Sequence, residues 1–459
     1  MPKLLLKKVL KKIKPTKKET EREQQAAKEI IEKIKKIKGS HIDVMLAGSI
    51  SRQTNLKGDK DIDIFVLFDE NTPAKEFEKE GLRIGKNVFR GHTWEKAYSQ
   101  HPYIRGKING FDVEIVPSYK VEDAQKIKSA VDRTPFHTKF VQEKLQQNQK
   151  DEVRLLRQFL KGIKAYGAEL KTESVPGYVT ELLVIKYGSF ENTLNAMAKW
   201  EEKETIDLEN QLTKQEAVKK FNSPLIVIDP VDKNRNVAAA LSINQFARMI
   251  AASRAYIKKP SINFFFGKKT KALTAKQVKN FLTKEEPIIV ETGYPKALPD
   301  IMWGQIKRLA KQLTATLEKE DFSVQRHSEW TDEKKTIILV FDLKSNILEK
   351  AKKRTGPQVF DEKNSEKFLS HHKNPLSGPR IENGRWVIEI ERKNSSAKKF
   401  LAAEIKKLKK TEKAGMKKSL NKKAKILTEK EILGKYKKEP EFREFFSTYL
   451  KGKEEFEFY

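Results

Sequence analysis

There is no cysteine among the 459 residues. That excludes disulfides and thiolate metal sites, and with them the disulfide-stapled secreted scaffolds. Histidine is scarce, at seven, and the pair His371-His372 has no carboxylate or cysteine neighbours at metal-ligand spacing, so no zinc site is read there. No run of about 18 apolar residues occurs, which leaves no candidate membrane-spanning helix. Nor is there an internal repeat of fixed period or a long low-complexity linker. Acidic charge is also in deficit, with 63 Asp and Glu against 94 Lys and Arg, a net of +31. A polyanionic partner accounts for such an excess, because each cation placed near a phosphate releases a counterion. Heat adaptation would explain abundant charge but not its imbalance. A membrane-surface role is the other reading that the charge permits.

Apolar residues make up 38% of the chain, enough to build cores in about three domains. The N-terminal stretch through Pro15 alternates leucines with lysines too closely for a signal peptide, and reads as an amphipathic helix of a cytoplasmic protein. Thr16-Lys17-Lys18-Glu19 has the capping-box pattern for a second helix, whose apolar positions run through Ile30, Ile34 and Ile37 to a stop at Gly39. Ile42 to Ala47 is a short apolar strand entering Gly48-Ser49, and Asp61 to Phe68 alternates as a second strand. After the Asn109-Gly110 turn, Val113 to Val116 makes a third, closed by Pro117. A mixed sheet with flanking helices is the expected core of residues 1–147. Residues 148–266 read as mainly helical, with a polar break at Val231 to Asn236. From 267 to 459, strands such as Thr336 to Leu343 and Trp386 to Glu391 alternate with helices such as Gln305 to Leu317, predicting a C-terminal α+β module. Trp330 and Trp386 border strands and are read as core. Lys406 to Lys425 holds ten lysines and one acid, a solvated helix face suited to RNA backbone.

The stretch that speaks of chemistry is Gly48-Ser49-Ile50-Ser51-Arg52 followed by Asp61-Ile62-Asp63-Ile64. On a strand, residues two apart share a face, so Asp61 and Asp63 project together while Ile62 and Ile64 enter the core. Two carboxylates this close repel, a cost that a bound cation offsets. Hard oxygen ligands suit Mg²⁺, which keeps waters and shares phosphate oxygens with a nucleotide. Asp112 and Glu114 alternate on the next strong strand and supply a third carboxylate. The Gly48-Ser49 turn offers backbone N–H groups and a hydroxyl for a triphosphate, with Arg52 one helical turn on.

Gly-Ser, Asp-x-Asp and a separate acidic strand together resemble the polymerase-β-like nucleotidyltransferases. Further segments narrow the resemblance to class I, archaeal-type CCA-adding tRNA nucleotidyltransferases. They are His101-Pro102-Tyr103, Ser129 to His137, Val153 to Leu156, Tyr166 to Glu169, Gly177-Tyr178 with Glu181 to Leu183, Tyr187 to Phe190, and Asp229 to Asp232 followed by Arg235 to Ala238. The resemblance is dense from Gly48 to about Phe266 and looser beyond. It implies an α+β multidomain fold with a nucleotidyltransferase head at 1–147, a helical neck at 148–266, and an RNA-binding body and tail at 267–459. It places the catalytic metal ligands on Asp61, Asp63 and Glu114, with Asp112 in reserve because the family generally has Asp where Glu114 stands. It gives the triphosphate to Ser49, Arg52, His137, Arg157 and Tyr166, and recognition of the incoming base to Arg235. Lysine is usual at the Arg157 position, and Gly and Trp are common where Gln53 and Asn55 occur, which bears on the shape of that loop. His101 falls in a segment that lies near the RNA end in the family; plain loop packing is the competing reading.

The implied activity is template-independent addition of C, C and A to the tRNA 3′ end from CTP and ATP, with Mg²⁺ and loss of pyrophosphate. The implied RNA contacts are the acceptor stem and neighbouring loop, and the resemblance leaves room for a homodimer. A poly(A) polymerase or oligoadenylate synthetase shares the same head, and an inactive RNA-binding relative is the non-enzymatic alternative.

Overall fold

The computed structural model describes residues 2–98, 100–268, 271–411 and 414–458. Met1 of the amphipathic N-terminal stretch, and Glu412 and Lys413 of the lysine-rich run, lie outside the described residues. The chain forms two compact units, Met1–Lys269 with Glu454–Tyr459, and Thr270–Lys453.

The first unit opens with α1 (Pro2–Ile13) and α2 (Lys17–Lys35). The capping box forms as read: the Glu19 carboxylate accepts from the Thr16 N–H at 2.7 Å and the Glu19 N–H donates to the Thr16 hydroxyl at 3.3 Å. Val9 and Ile13 are buried in the core, and Leu5, Leu6 and Leu10 pack partly against it. Next come β1 (His41–Leu46), α3 (Gly48–Arg52), β2 (Asp61–Asp69), α4 (Ala74–Val88), β3 (Trp94–Tyr98), β4 (Pro102–Ile108) and β5 (Phe111–Lys120). Their sheet has the order β1-β2-β5-β4-β3, with β2 and β5 parallel and the other neighbours antiparallel. Ile62, Ile64, Val66, Val113 and Ile115 fill one face with residues of α2 and α4. On the opposite face Phe65, Leu67 and Val116 form a small cluster covering only part of the sheet. The uncovered part carries the acids. Because β2 and β5 run parallel, Asp61 pairs with Asp112 and Asp63 with Glu114.

β5 does not stop at Val116 but runs on through Pro117 to Lys120. Its ladder with β4 ends at Ile115, so the missing proline N–H leaves no carbonyl of β4 unpaired. After α5 (Thr134–Lys144), α6 (Gln149–Gly162), α7 (Gly177–Tyr187) and α8 (Phe190–Met197), the stretch expected to be mainly helical contains a small sheet. Its strands β6 (Glu204–Ile206), β7 (Leu225–Asp229) and β8 (Asp232–Asn236) lie in that order, with α9 (Lys214–Lys220) between the first two. β7 is buried throughout, and an apolar run of that length has no period to tell strand from helix. α10 (Ile243–Lys258) and α11 (Asn263–Phe266) complete the helical core around Phe159, Phe190 and Tyr256.

The second unit holds α12 (Ala275–Glu285), β9 (Ile288–Gly293), α13 (Pro299–Lys319), β10 (Val324–Thr331) and β11 (Thr336–Leu343). β12 (Ala351–Gln358), α14 (Glu362–His371), β13 (Ser377–Glu382) and β14 (Arg385–Glu391) follow, then α15 (Ala397–Thr411), α16 (Ala414–Lys423), β15 (Lys425–Ile426), α17 (Glu429–Lys438) and α18 (Pro440–Lys451). The larger sheet, β10-β11-β9-β15, is covered on both faces. Ile337, Leu339 and Phe341 pack with α13, α15 and α16, while Ile338 and Val340 pack with α12, α17 and α18. Double coverage explains why β11 reads as a continuous apolar run. Trp330 packs against Phe442 at 5.4 Å between ring centroids, and Trp386 is half-buried on β14.

Candidate active site

Gly48 opens the turn between β1 and α3 with φ +72°, and a Cβ there would lie 2.0 Å from Asp63 Oδ2. Only glycine lets that backbone press against the carboxylate. The turn is held from behind by a buried network. Glu181, fully buried on α7, accepts through one oxygen from Arg52 Nε (3.0 Å), the Thr54 hydroxyl (2.5 Å) and Arg157 Nη2 (3.0 Å). Arg157 also donates to the Thr54 carbonyl, and Arg154 to the carbonyls of Gln53 and Asn55. These bonds fix the Gln53–Asn55 loop.

Asp63 and Glu114 form part of the wall of a cavity of about 320 Å³, lined also by Gly48, Arg52, Tyr103, His137 and Tyr178. A second cavity of about 760 Å³ adjoins the same two acids and adds Asp61, Asp112, Trp94, Arg105 and Lys107. Two open spaces thus share one acidic divide. The carboxylates are strained electrically. Burial, then repulsion from Asp63, pushes Glu114 up to about 7, and Asp63 is raised by burial and then by Asp61. Asp61 is raised by burial, then by Asp59 and Asp112. Relief from Arg52, Arg105, Lys107 and Lys161 is weaker than these influences. An uncompensated set of hard oxygens fits divalent cations. Among the described residues no three His, Asp or Glu side chains form a group that could hold a metal by themselves. The acids are instead arrayed on neighbouring strands, an open arrangement suited to an ion completed by water and phosphate. Asp112 pairs with Lys107 at 2.8 Å on the exposed end of the array, and Glu114 lies beside Asp63.

His137, on α5, reaches the first cavity and stacks on Tyr178 with centroids 4.2 Å apart. Its Nε2 lies 2.8 Å from Asp229 Oδ2, and the same oxygen accepts from Arg235 Nη1 at 2.7 Å. Burial, the largest influence, lowers the His137 pKa, with Arg235 and Arg52 adding to it and Asp229 opposing. Asp229 itself is lowered: burial raises it, but the bonds and charges of His137 and Arg235 outweigh that.

The structure therefore gathers Arg52, Asp63, Glu114 and His137 around the first cavity and places Asp61 in the second. Ser49, Arg157, Tyr166 and Arg235 line neither. Arg157 is buried in the Glu181 network, and Tyr166 lies close behind Gly177, where a Cβ would sit 2.9 Å from its hydroxyl. His101 is buried, with Nε2 2.7 Å from the Pro117 carbonyl oxygen and its ring edge-on to Phe77, which is packing. Sequence reasoning gave no role to Glu181, Asp229, Tyr103, Trp94, Arg105 or Lys107. A lone acid inside an apolar helix (Glu181) or closing an apolar strand (Asp229) was the available signal, since buried acids are almost always paired.

Residues 27–137 match the family described as nucleotidyltransferase domain, 151–266 that described as tRNA nucleotidyltransferase, second domain, and 285–429 that described as CCA-adding enzyme, C-terminal domain. The CCA-adding enzyme of Methanosarcina mazei is 37% identical over 86% of this chain and 88% of its own. Those of Methanothermobacter thermautotrophicus and Methanocaldococcus jannaschii are 36% identical over 86% and 86%, and 38% identical over 80% and 84%. Nucleotidyltransferases of this kind generally use divalent metal ions. With these relatives across most of its length and the three matched domains in order, the chain belongs to the CCA-adding enzyme family.

Proposed function

We propose that this enzyme adds C, C and A to the 3′ end of tRNA from CTP and ATP without a nucleic-acid template, releasing pyrophosphate. The observation that carries the reading is the acidic divide between two cavities: Asp63 and Glu114 border both, with cationic Arg52 on one side and Arg105 and Lys107 on the other. A nucleotidyl transfer needs such an arrangement, because its two polyanionic substrates must meet at one phosphorus from opposite directions.

In this reading the triphosphate enters the smaller cavity, where Arg52 and His137 supply positive charge and Gly48 keeps the backbone close. Ser49, Arg157 and Tyr166 support that subsite from behind, and Arg235 reads the base. The RNA end enters the larger cavity, its backbone drawn to Arg105 and Lys107 and a base against the exposed face of Trp94. Asp61, Asp63 and Glu114 would hold Mg²⁺, which when bound offsets the clustered charge, favours ionisation of the attacking 3′-hydroxyl and steadies the leaving pyrophosphate. Catalysis then rests on positioning and charge neutralisation. The division of labour follows the chain: 1–147 for chemistry, 148–266 for the nucleotide and RNA end, 267–459 for the acceptor stem and neighbouring loop. In the last of these, Lys406, Lys407, Lys410, Lys417 and Lys418 are exposed while Ile405, Leu408, Met416 and Leu420 are buried, so charge faces outward along a packed pair of helices. Contacts of that kind grip backbone by shape and charge. The same reading puts the work in the cytoplasm; no helix among the described residues is long and apolar enough to cross a membrane.

The test is a length assay. Labelled tRNA lacking its end is supplied with Mg²⁺ and CTP, ATP or both. Extension by two nucleotides with CTP and three with both is expected. Unlimited extension with ATP alone would assign a poly(A) polymerase activity instead.

A further inference from the structure

Asp229 touches neither cavity, yet it joins two residues of different duty. Its Oδ2 atom accepts both from His137 Nε2 at 2.8 Å and from Arg235 Nη1 at 2.7 Å, and its Oδ1 accepts from the Val231 N–H at 3.2 Å. The carboxylate is fully buried at the end of β7, a strand buried along its whole length, so it cannot swing. His137 is braced on its other flank by Tyr178. Arg235 is 38% exposed and has this one ion pair among the described residues.

We infer that Asp229 is a positioning residue that couples base recognition to triphosphate binding, by fixing Arg235 and His137 through one shared oxygen. This rests on the nucleotide subsites proposed above and deepens them. An ionised Asp229 is an acceptor only, so His137 must donate from Nε2. In the neutral ring the second nitrogen then bears a lone pair, which a phosphate oxygen does not bond. A proton taken up with the triphosphate turns that nitrogen into a donor, and the imidazolium is held between Asp229 and phosphate. The charged groups facing His137 are Asp229, Arg235 and Arg52, and those facing Asp229 are His137 and Arg235. As His137 becomes charged, Asp229 is shared between two cations, and the arginine side chain it holds is the one that meets the base. Occupation of the triphosphate subsite is thereby felt at the base subsite, 92 residues apart in sequence between His137 and Asp229 but one oxygen apart in space.

The test uses the full chain and tRNA lacking its end, with CTP, ATP, UTP and GTP offered singly. Asp229→Asn should raise KM for CTP and ATP roughly tenfold with a smaller change in kcat, and raise UTP use relative to CTP by a similar factor. The KM for CTP should also lose its rise with pH across the range where His137 titrates in the wild type. Because Asn at this buried site removes the counter-charge of Arg235 and lowers stability, His137→Ala gives an independent reading: removing a residue of the triphosphate subsite should itself raise UTP use relative to CTP. If Asp229→Asn folds and keeps wild-type selectivity and pH profile, or if His137→Ala leaves selectivity unchanged, the coupling is refuted. A wild type that adds neither C nor A would refute the functional reading instead.

Discussion

Replacing Glu114 by Gln should make the metal-free protein more stable while abolishing its activity. Glu114 is pushed from 4.5 in the unfolded chain to about 7 in the fold, first by burial and then by Asp63. One pKa unit corresponds to about 1.4 kcal/mol, so the shift amounts to roughly 3 kcal/mol. Below pH 4.5 the carboxyl is protonated folded or unfolded and carries no penalty. As pH rises toward 7 the unfolded chain sheds the proton while the fold resists, and stability falls until the folded group has ionised too. Glutamine keeps the neutral form at every pH and escapes that loss. Urea denaturation in the presence of a chelator, at pH 5 and pH 8, measures it. The wild type should lose stability relative to Glu114→Gln between the two, by roughly 2–3 kcal/mol, and added divalent cation should restore the wild type more than the variant. Parallel pH dependences, or a variant less stable than wild type at pH 8, would refute the electrostatic account.

Other consequences can be checked as directly. Glu181→Gln leaves Arg52 and Arg157 without their shared counter-charge in a buried site; a loss of roughly 3 kcal/mol in urea denaturation is expected, with a raised KM for both nucleotides. Gly48→Ala drives a methyl group into Asp63, so incorporation should fall at least about a hundredfold while the fold persists on circular dichroism. Arg105→Ala with Lys107→Ala should raise KM for tRNA, leave KM for CTP near wild type, and reduce the salt slope of tRNA binding by about 1.4.

How much of this could be read from the sequence depended on how local the cause was. β2 was legible because Asp61 and Asp63 alternate with Ile62 and Ile64 on a strand with one open face. The α2 cap was legible because Thr16 and Glu19 satisfy each other within one turn. The β6-β7-β8 sheet was not, since Leu225 to Asp229 is buried all round and carries no alternation. The run of β5 through Pro117 depended on where β4 stops pairing, a tertiary fact. In the site, the shared faces of Asp61 with Asp63 and of Asp112 with Glu114 were legible because strand residues two apart project together, whereas the choice of Glu114 over Asp112 came from the family resemblance. The partners of Arg52 and His137 could not, since Glu181 and Asp229 lie 129 and 92 residues away and meet them only through packing.

The central claim is that Asp61, Asp63 and Glu114 act as one metal-holding set at the meeting point of nucleotide and RNA. Single-turnover extension of end-labelled tRNA by an Asp63→Ala variant tests it most directly, with tRNA retention on a filter measured alongside. The account predicts no detectable extension and near wild-type retention. Extension at the wild-type rate would contradict it.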